Sequence, residues 1–292
     1  NQVFGDNLDH SETLFVYTRD EATGGAFSLA GGQPSHLSSF FNCRIYEQNS
    51  GAFIRSVEYG GDSLGWSAPN DYLQELYGEL ELPDPSKPWA RHIVTDDLRY
   101  TTYFYPEVYV ANNPDSPDFG KPIPVTDYED NFRRYHFSLY KFHDNLTKAA
   151  ATNDSWKDHL QYRLAEVYLL GAEAYFHMNG GTDATALKYI NTIRRRAFTG
   201  VPNSTDTSHD FTSITLDTYL EESARELCFE GNRWYLLKRL GLLVERQGLH
   251  YRYGSNTGNI APEPMAPYMV RFPIPQSFID QSGGAYPQNE GY

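Results

Sequence analysis

The chain is poor in cysteine and in positive charge, and it has no long apolar run. Two cysteines in 292 residues, Cys43 and Cys228, make neither a disulfide framework nor a structural zinc site. Lys plus Arg number 24 against 38 Asp plus Glu, for a net charge of −14. Such an acidic surface repels phosphate backbones and anionic lipids, which excludes general nucleic-acid binding and a polybasic membrane patch. No stretch reaches the roughly 18 consecutive apolar residues that would span a bilayer. A G-x-x-x-x-G-K-[ST] phosphate loop and an H-E-x-x-H zinc helix are both missing. The oxygen-rich runs 6–12 and 113–120 lack calcium-loop spacing. No metal and no cofactor is therefore expected. Asn1 opens the chain without Met, leader or lipidation cysteine, so it reads as a mature or trimmed form.

Aromatic residues, by contrast, are plentiful: 23 Tyr, 17 Phe and 4 Trp. A phenol or indole offers an apolar face and a polar tip, and so serves core edges and binding surfaces alike. Prolines 83, 85, 88, 106, 114, 117, 122 and 124 forbid long helices between 81 and 135. Within and beside that region, "LRYTTYFY" (98–105) and "RRYHFSLYKF" (133–142) read as strands, as does "ETLFVYT" (12–18). "AFIRSVEY" (52–59) is ambiguous between strand and coil. "APNDYLQELYGEL" (68–80) predicts an amphipathic helix capped by Asn70.

From Trp156 the pattern becomes helical. One predicted face carries Leu160, Leu164, Val167, Tyr168, Gly171, Ala172 and Tyr175, with Gly171, Ala172 and Ala174 small enough to admit a close neighbour. Gly180–Gly181 ends this helix. A second helix places Leu187, Ile190, Ile193 and Ala197 on one face. The pair is similar to one tetratricopeptide unit, which cannot bury its own face and must stack on something else. A third helix is predicted to run unbroken through "TLDTYLEESARELCFEGNRWYLLKRLGLL" (215–243). It carries Gly231 on its buried face and Glu226, Glu230 and Arg233 paired along its edge. No nucleophile adjoins that mix of charges, which reads as a satisfied polar seam.

Four segments together resemble the SusD/RagB-like outer-membrane nutrient-uptake proteins of Bacteroidetes. Glu222, Arg225, Glu226, Leu227, Phe229, Glu230, Gly231, Arg233, Trp234 and Leu237 follow the late family signature, with Ser223 and Leu236 in place of its usual Arg and Asp. Arg163, Ala165, Glu166, Leu169, Ala172, Glu173 and Ala174 match one family helix. Ala186, Leu187, Ile190, Asn191, Ile193, Arg194, Arg196 and Ala197 match the next. The closing P-I-P and Q-N-x-G-Y motifs are similar to Pro273-Ile274-Pro275 and Gln288 to Tyr292. Asp97 and Arg99 resemble a D-x-R strand of the family.

The resemblance implies a mainly α fold: a tetratricopeptide-like helical bundle, or α/α superhelix, with a large irregular loop region and a few short strands. It implies a single region over 1–292 that lacks the family's N-terminal half, with a loop-rich, ligand-facing part at 1–155 and the helical signature at 156–292. It further implies a non-enzymatic, cell-surface outer-membrane lipoprotein. Such a protein captures oligosaccharide or polysaccharide for a TonB-dependent SusC-like transporter, with membrane contact through a lipid anchor absent from this chain. Peptide capture, as in RagB, is the alternative.

No family motif marks the ligand contacts, so candidates come from chemistry. Sugar rings stack on indoles and phenols, and amides, acids and arginine bind the hydroxyls. The loop-borne Trp66 and Trp89 are the leading candidates, followed by Tyr46, Tyr59 and Tyr72. Trp156 and Trp234, assigned to helices, read as core. An enzymatic rival rests on "GDSLG" (61–65), which fits G-x-S-x-G and resembles a G-D-S-L esterase block, with Asp206 and His209 as partners for Ser63. It lacks the alternating strands and helices that seat such an elbow, so no catalytic residue is assigned.

Overall fold

A computed structural model describes residues 4, 10–19, 34–47, 51–81, 92–123, 133–134, 136–146, 149–250 and 264–292. Strand β1 (Thr13–Tyr17) bears out the reading of 12–18 as extended. Short helix α1 (Leu37–Phe40) follows, then helix α2 (Asp71–Glu75). Asn70 caps α2 as predicted, its Oδ1 accepting from Leu73 N at 3.0 Å, although the helix is shorter than its apolar spacing suggested. The ambiguous 52–59 segment is irregular and closes in a 3₁₀ turn over Val57–Tyr59. Strands β2 (Glu79–Glu81) and β3 (His92–Val94) pair antiparallel.

Residues 98–105 depart from the expectation. They begin as helix α3 (Leu98–Tyr103) rather than as a strand. Tyr and Thr favour strands locally, but Asp97 Oδ1 accepts from Arg99 N at 3.0 Å and starts a helix. The helix sends Arg99 into the interior and buries Tyr100 and Tyr103. The second expected strand, at 133–142, is reduced among the described residues to one bridge between Leu139 and Phe104.

Strand β4 (His159–Arg163) pairs antiparallel with β1, with Thr13 opposite Arg163 and Tyr17 opposite His159. The helix predicted from Trp156 therefore begins later, as α4 (Leu164–Asn179), and Trp156 lies outside it. This strand-to-helix joint rotates the buried face of α4 to Ala165, Leu169, Ala172 and Glu173, leaving Val167 and Tyr175 exposed. Glu173 is buried because Tyr219 and Arg239 both donate to it. Gly180 ends α4 with φ 92°.

Helix α5 (Ala184–Thr199) starts on Asp183, whose Oδ1 accepts from Thr185 N and Ala186 N at 2.9 Å. It packs on α4 through Ala186, Ile190 and Ile193. The approach is close: a methyl at Gly171 would stand 2.9 Å from the Tyr189 ring. Ala174, expected at this contact, faces outward.

The third long helix is broken. Helix α6 (Leu216–Glu226) opens with a Thr215/Thr218 capping box, and helix α7 (Asn232–Arg239) resumes after a sharp turn. Phe229 (φ 63°) and Gly231 (φ 89°) are both left-handed there. The break turns Phe229 onto Phe41, with ring centroids 4.8 Å apart. It also frees Glu230 to reach Arg163 and Lys141. Gly231 is thus an exposed hinge of the turn, not a buried helix residue. Helices α8 (Leu243–His250) and α9 (Gln276–Gln281) complete the chain.

Burial divides into three clusters. The helical core joins Leu169, Ile190, Ile193, Tyr219, Leu220, Leu236, Leu237 and Leu243. An aromatic core of Tyr77, Tyr100, Tyr103, Phe104 and Phe142 underlies the loops. A third joins Ile45, Phe53, Tyr105 and Tyr109, with Tyr59 packed against it.

Candidate functional site

Two arrangements of polar side chains stand out: one is sealed inside the fold and the other lies on its surface. The sealed one is the signature itself. Glu226 accepts from Arg163 Nη1 at 2.6 Å and from Arg99 Nη1 at 3.0 Å, and also pairs with Arg196. Glu222 accepts from Arg99 at 2.8 Å and from Arg194 at 2.7 Å. Glu230 receives Arg163 and Lys141, and Asp97 holds the other edge of the Arg99 fork.

Burial alone would push the carboxyls of Glu222, Glu226 and Glu230 up. The guanidiniums outweigh it, holding Glu222 at about 2 and Glu226 well below its ordinary range. The expected edge pairing of Glu226 and Glu230 with Arg233 does not form, since both acids point inward to other partners. The predicted role is nevertheless met: this is a satisfied polar seam joining α3, β4, α5 and α6.

The surface arrangement lies on the loop that carries Asp62 and Trp66. The loop before it is held at several points. Ser56 Oγ accepts from Tyr59 N, and Gly60 turns with φ 84° where a side chain would collide with Asn42. Leu64 N donates to Ser39 O at 2.9 Å, and Trp66 N to Phe40 O at 3.0 Å. The Trp66 ring meets Phe40 edge-on at 5.1 Å and remains 62% exposed. A fixed backbone beneath a free indole face makes a stacking platform with little ordering cost.

Four residues before Trp66, Asp62 Oδ1 accepts from the Tyr46 hydroxyl at 2.5 Å. The Arg55 guanidinium lies 4.7 Å from the Tyr46 ring centroid and 3.5 Å from Asp62. Arg44 lies near the same ring at 5.4 Å and pairs with Glu47 at 2.6 Å. Burial and then the bond to Asp62 push the Tyr46 phenol up to about 12, which keeps it a neutral donor.

The other aromatic candidates separate. The Tyr59 hydroxyl both donates to Val110 O and accepts from Val110 N, and its ring packs on Phe53 and Tyr109. It acts as a strut. Tyr72 stacks on His250 at 3.6 Å and faces a separate cavity of about 490 Å³. Trp89 lies outside the described residues. Trp234 packs partly buried against the helical core, as expected.

Arg44, Arg55 and Asp62 were missed by sequence reasoning. Each is an ordinary surface charge in the sequence, and Tyr46 brings them together only in the fold. The G-x-S-x-G serine does not form a nucleophile elbow: Ser63 is fully buried, and its hydroxyl contacts the Tyr59 and Gly61 carbonyls. Its supposed partners are engaged elsewhere. Asp206 accepts from Ser208 N, and His209 stacks on Phe198 at 3.9 Å.

Known proteins bear on this geometry. The chain is 31% identical over 175 residues to SusD-like protein P25 of Formosa agariphila, covering 55% of this chain and 31% of that protein. It is 34% identical over 131 residues to the starch-binding protein SusD of Bacteroides thetaiotaomicron, covering 45% of this chain and 21% of that protein. Among solved structures, surface glycan-binding protein A from Bacteroides thetaiotaomicron superposes with a TM-score of 0.60 at 20% identity, over 99% of this chain and 54% of that one. A laminarin-binding SusD-like protein superposes with a TM-score of 0.58 at 20% identity, over 97% and 50%. The chain thus spans about half the length of these solved relatives, and the shared fold is the mainly helical one expected from the sequence. The profile of the SusD family matches residues 84–292, well over half of the sequence, and the chain belongs to that family.

Proposed function

We propose that this chain is part of a non-catalytic cell-surface protein that captures oligosaccharide or polysaccharide. It would hand the glycan to a SusC-like TonB-dependent transporter in the outer membrane. A lipid anchor of the kind the family resemblance implies would hold it there; no helix among the described residues is long and apolar enough to cross a membrane. The names of its relatives support a carbohydrate ligand: one is a starch-binding protein, one binds laminarin, and one is a surface glycan-binding protein.

The observation that carries the reading is Trp66, exposed on a pinned loop four residues after Asp62, which accepts from Tyr46 and lies 3.5 Å from Arg55. A pyranose ring stacked on the indole would place its hydroxyls near a carboxylate and guanidiniums, which together accept and donate hydrogen bonds. Binding of this kind needs no covalent chemistry.

Titration calorimetry of the full-length protein against starch, laminarin, other glycans and peptides, with product analysis of each mixture, tests the proposal. Saturable glycan heat without cleavage, lost in Trp66→Ala, is the expected result. Heat from peptides alone would move the protein to peptide capture. Cleaved product that disappears in Ser63→Ala would make it an esterase.

A further inference from the structure

The cavity beside Tyr72 is unrelated to the Trp66 loop in chemistry. It opens between α2, the α6–α7 turn and α8, and its volume of about 490 Å³ lies within the roughly 300–1,000 Å³ of small-molecule sites. Tyr72, Leu73, Leu227, Phe229, Trp234 and Leu237 supply an aromatic and aliphatic wall. Two ties hold its rim: Asn70 Nδ2 donates to His250 O at 3.0 Å, and the Tyr72 and His250 rings stack.

One cation in this wall lacks a counter-charge. Arg233 Nη1 donates to Leu220 O at 2.7 Å, but among the described residues no carboxylate lies within ion-pair distance of its guanidinium. Every other arginine from Arg194 to Arg246 has one. Arg194 and Arg225 have Glu222, Arg195 has Asp210, Arg196 has Glu226, Arg239 has Glu173 and Arg246 has Asp217. Helix α7 supplies none to Arg233: the residue three positions on is the buried Leu236, and Glu230, three positions back, is engaged by Arg163 and Lys141. Burial pushes the Arg233 guanidinium down, Tyr72 counters this, and Arg246 adds to the depression. A half-buried cation without a counter-charge is costly, and its planar fork matches a carboxylate.

We infer that this cavity binds a small aromatic carboxylate, with its ring against Tyr72, Phe229 and Trp234 and its carboxylate on Arg233. Asp217 already pairs with Arg246, which leaves Arg233 as the lining arginine without an ion pair among the described residues. That suits a monoanion better than a phosphate dianion. The site is distinct from the glycan platform and does not depend on it.

The test uses the full-length protein and two probes of equal shape, 3-phenylpropionate and 3-phenylpropan-1-ol, titrated by calorimetry. The acid is expected to bind about tenfold more tightly than the alcohol, the scale of a hydrogen bond to a charged group. Arg233→Gln should abolish that preference and leave glycan heat unchanged. Ala68→Trp, which adds bulk to the lining and leaves the Arg233 side chain in the sequence, should remove binding of both probes. The inference is overturned if the acid does not bind, if acid and alcohol bind alike, or if the preference survives in Arg233→Gln with Ala68→Trp still binding the acid.

Discussion

Arg163 donates to Glu226 across 2.6 Å with both side chains sealed from solvent, so that a charge at the end of β4 is neutralised by one on α6. Arg99 and Arg196 converge on the same carboxylate. Glu226→Gln keeps the shape and removes the charge, leaving buried guanidiniums short of an anion. It should cost about 3–5 kcal/mol, read as a lower urea midpoint with an unchanged slope.

Acid should unfold the protein in two stages. His136 is pushed down to about 4 by burial, against its bond to Phe137 O. The fold keeps it neutral while the unfolded chain protonates below about 6.5, so stability begins to fall there. Glu222, at about 2, and Glu226 and Glu230, also lowered, contribute stability above about 4.5 that is lost as pH drops toward 2. Stability measured against pH should decline gently from 6.5 to 4.5 and steeply below. His136→Gln should make the gentle limb shallower and leave the steep one, since His159, also pushed down by burial, contributes to the same limb.

Trp66→Ala should weaken glycan binding about tenfold while shifting the unfolding free energy by about 0.5 kcal/mol or less, as for other surface changes. The loop's fixed points are backbone bonds, which the substitution spares. Calorimetry and denaturant unfolding on one preparation separate the two effects. A large stability loss would make Trp66 a packing residue.

Gly231→Ala should cost about 1–2 kcal/mol, the penalty of a left-handed backbone for a residue with a Cβ. Nothing lies within 4 Å of the added methyl, so the loss would be conformational rather than steric. A stabilised variant would show that the turn between α6 and α7 straightens into one helix.

The helix pair was legible because its signals are local: Gly180 stops α4, and Ile190 and Ile193 recur at helical spacing. Asn70 was legible for the same reason. Where partners lie far off in sequence, local reading failed. Residues 98–103 look like a strand until Arg99 is seen reaching Glu222 and Glu226. The stretch 227–231 looks helical until Glu230 is drawn aside by Lys141 and Arg163. Trp66 was proposed from its type and its loop, and it stands exposed on a held backbone. Arg44 and Arg55, which gather with Asp62 around Tyr46, carry no periodicity and no motif, Asp62 stood out only within GDSLG, and Tyr59 shows its role as a strut only through its bonds to Val110.

The sealed seam also bears on how the chain reaches its native state. Its charges come from segments near positions 97–99, 141, 163, 194–196 and 222–230, with contacts up to 127 residues apart. Any partly assembled form that docks some of these segments buries charge before its counter-charge arrives. Such forms are disfavoured, so the helical half and the loop half should fold together in one cooperative step. With pairings this distant, that step should be slow.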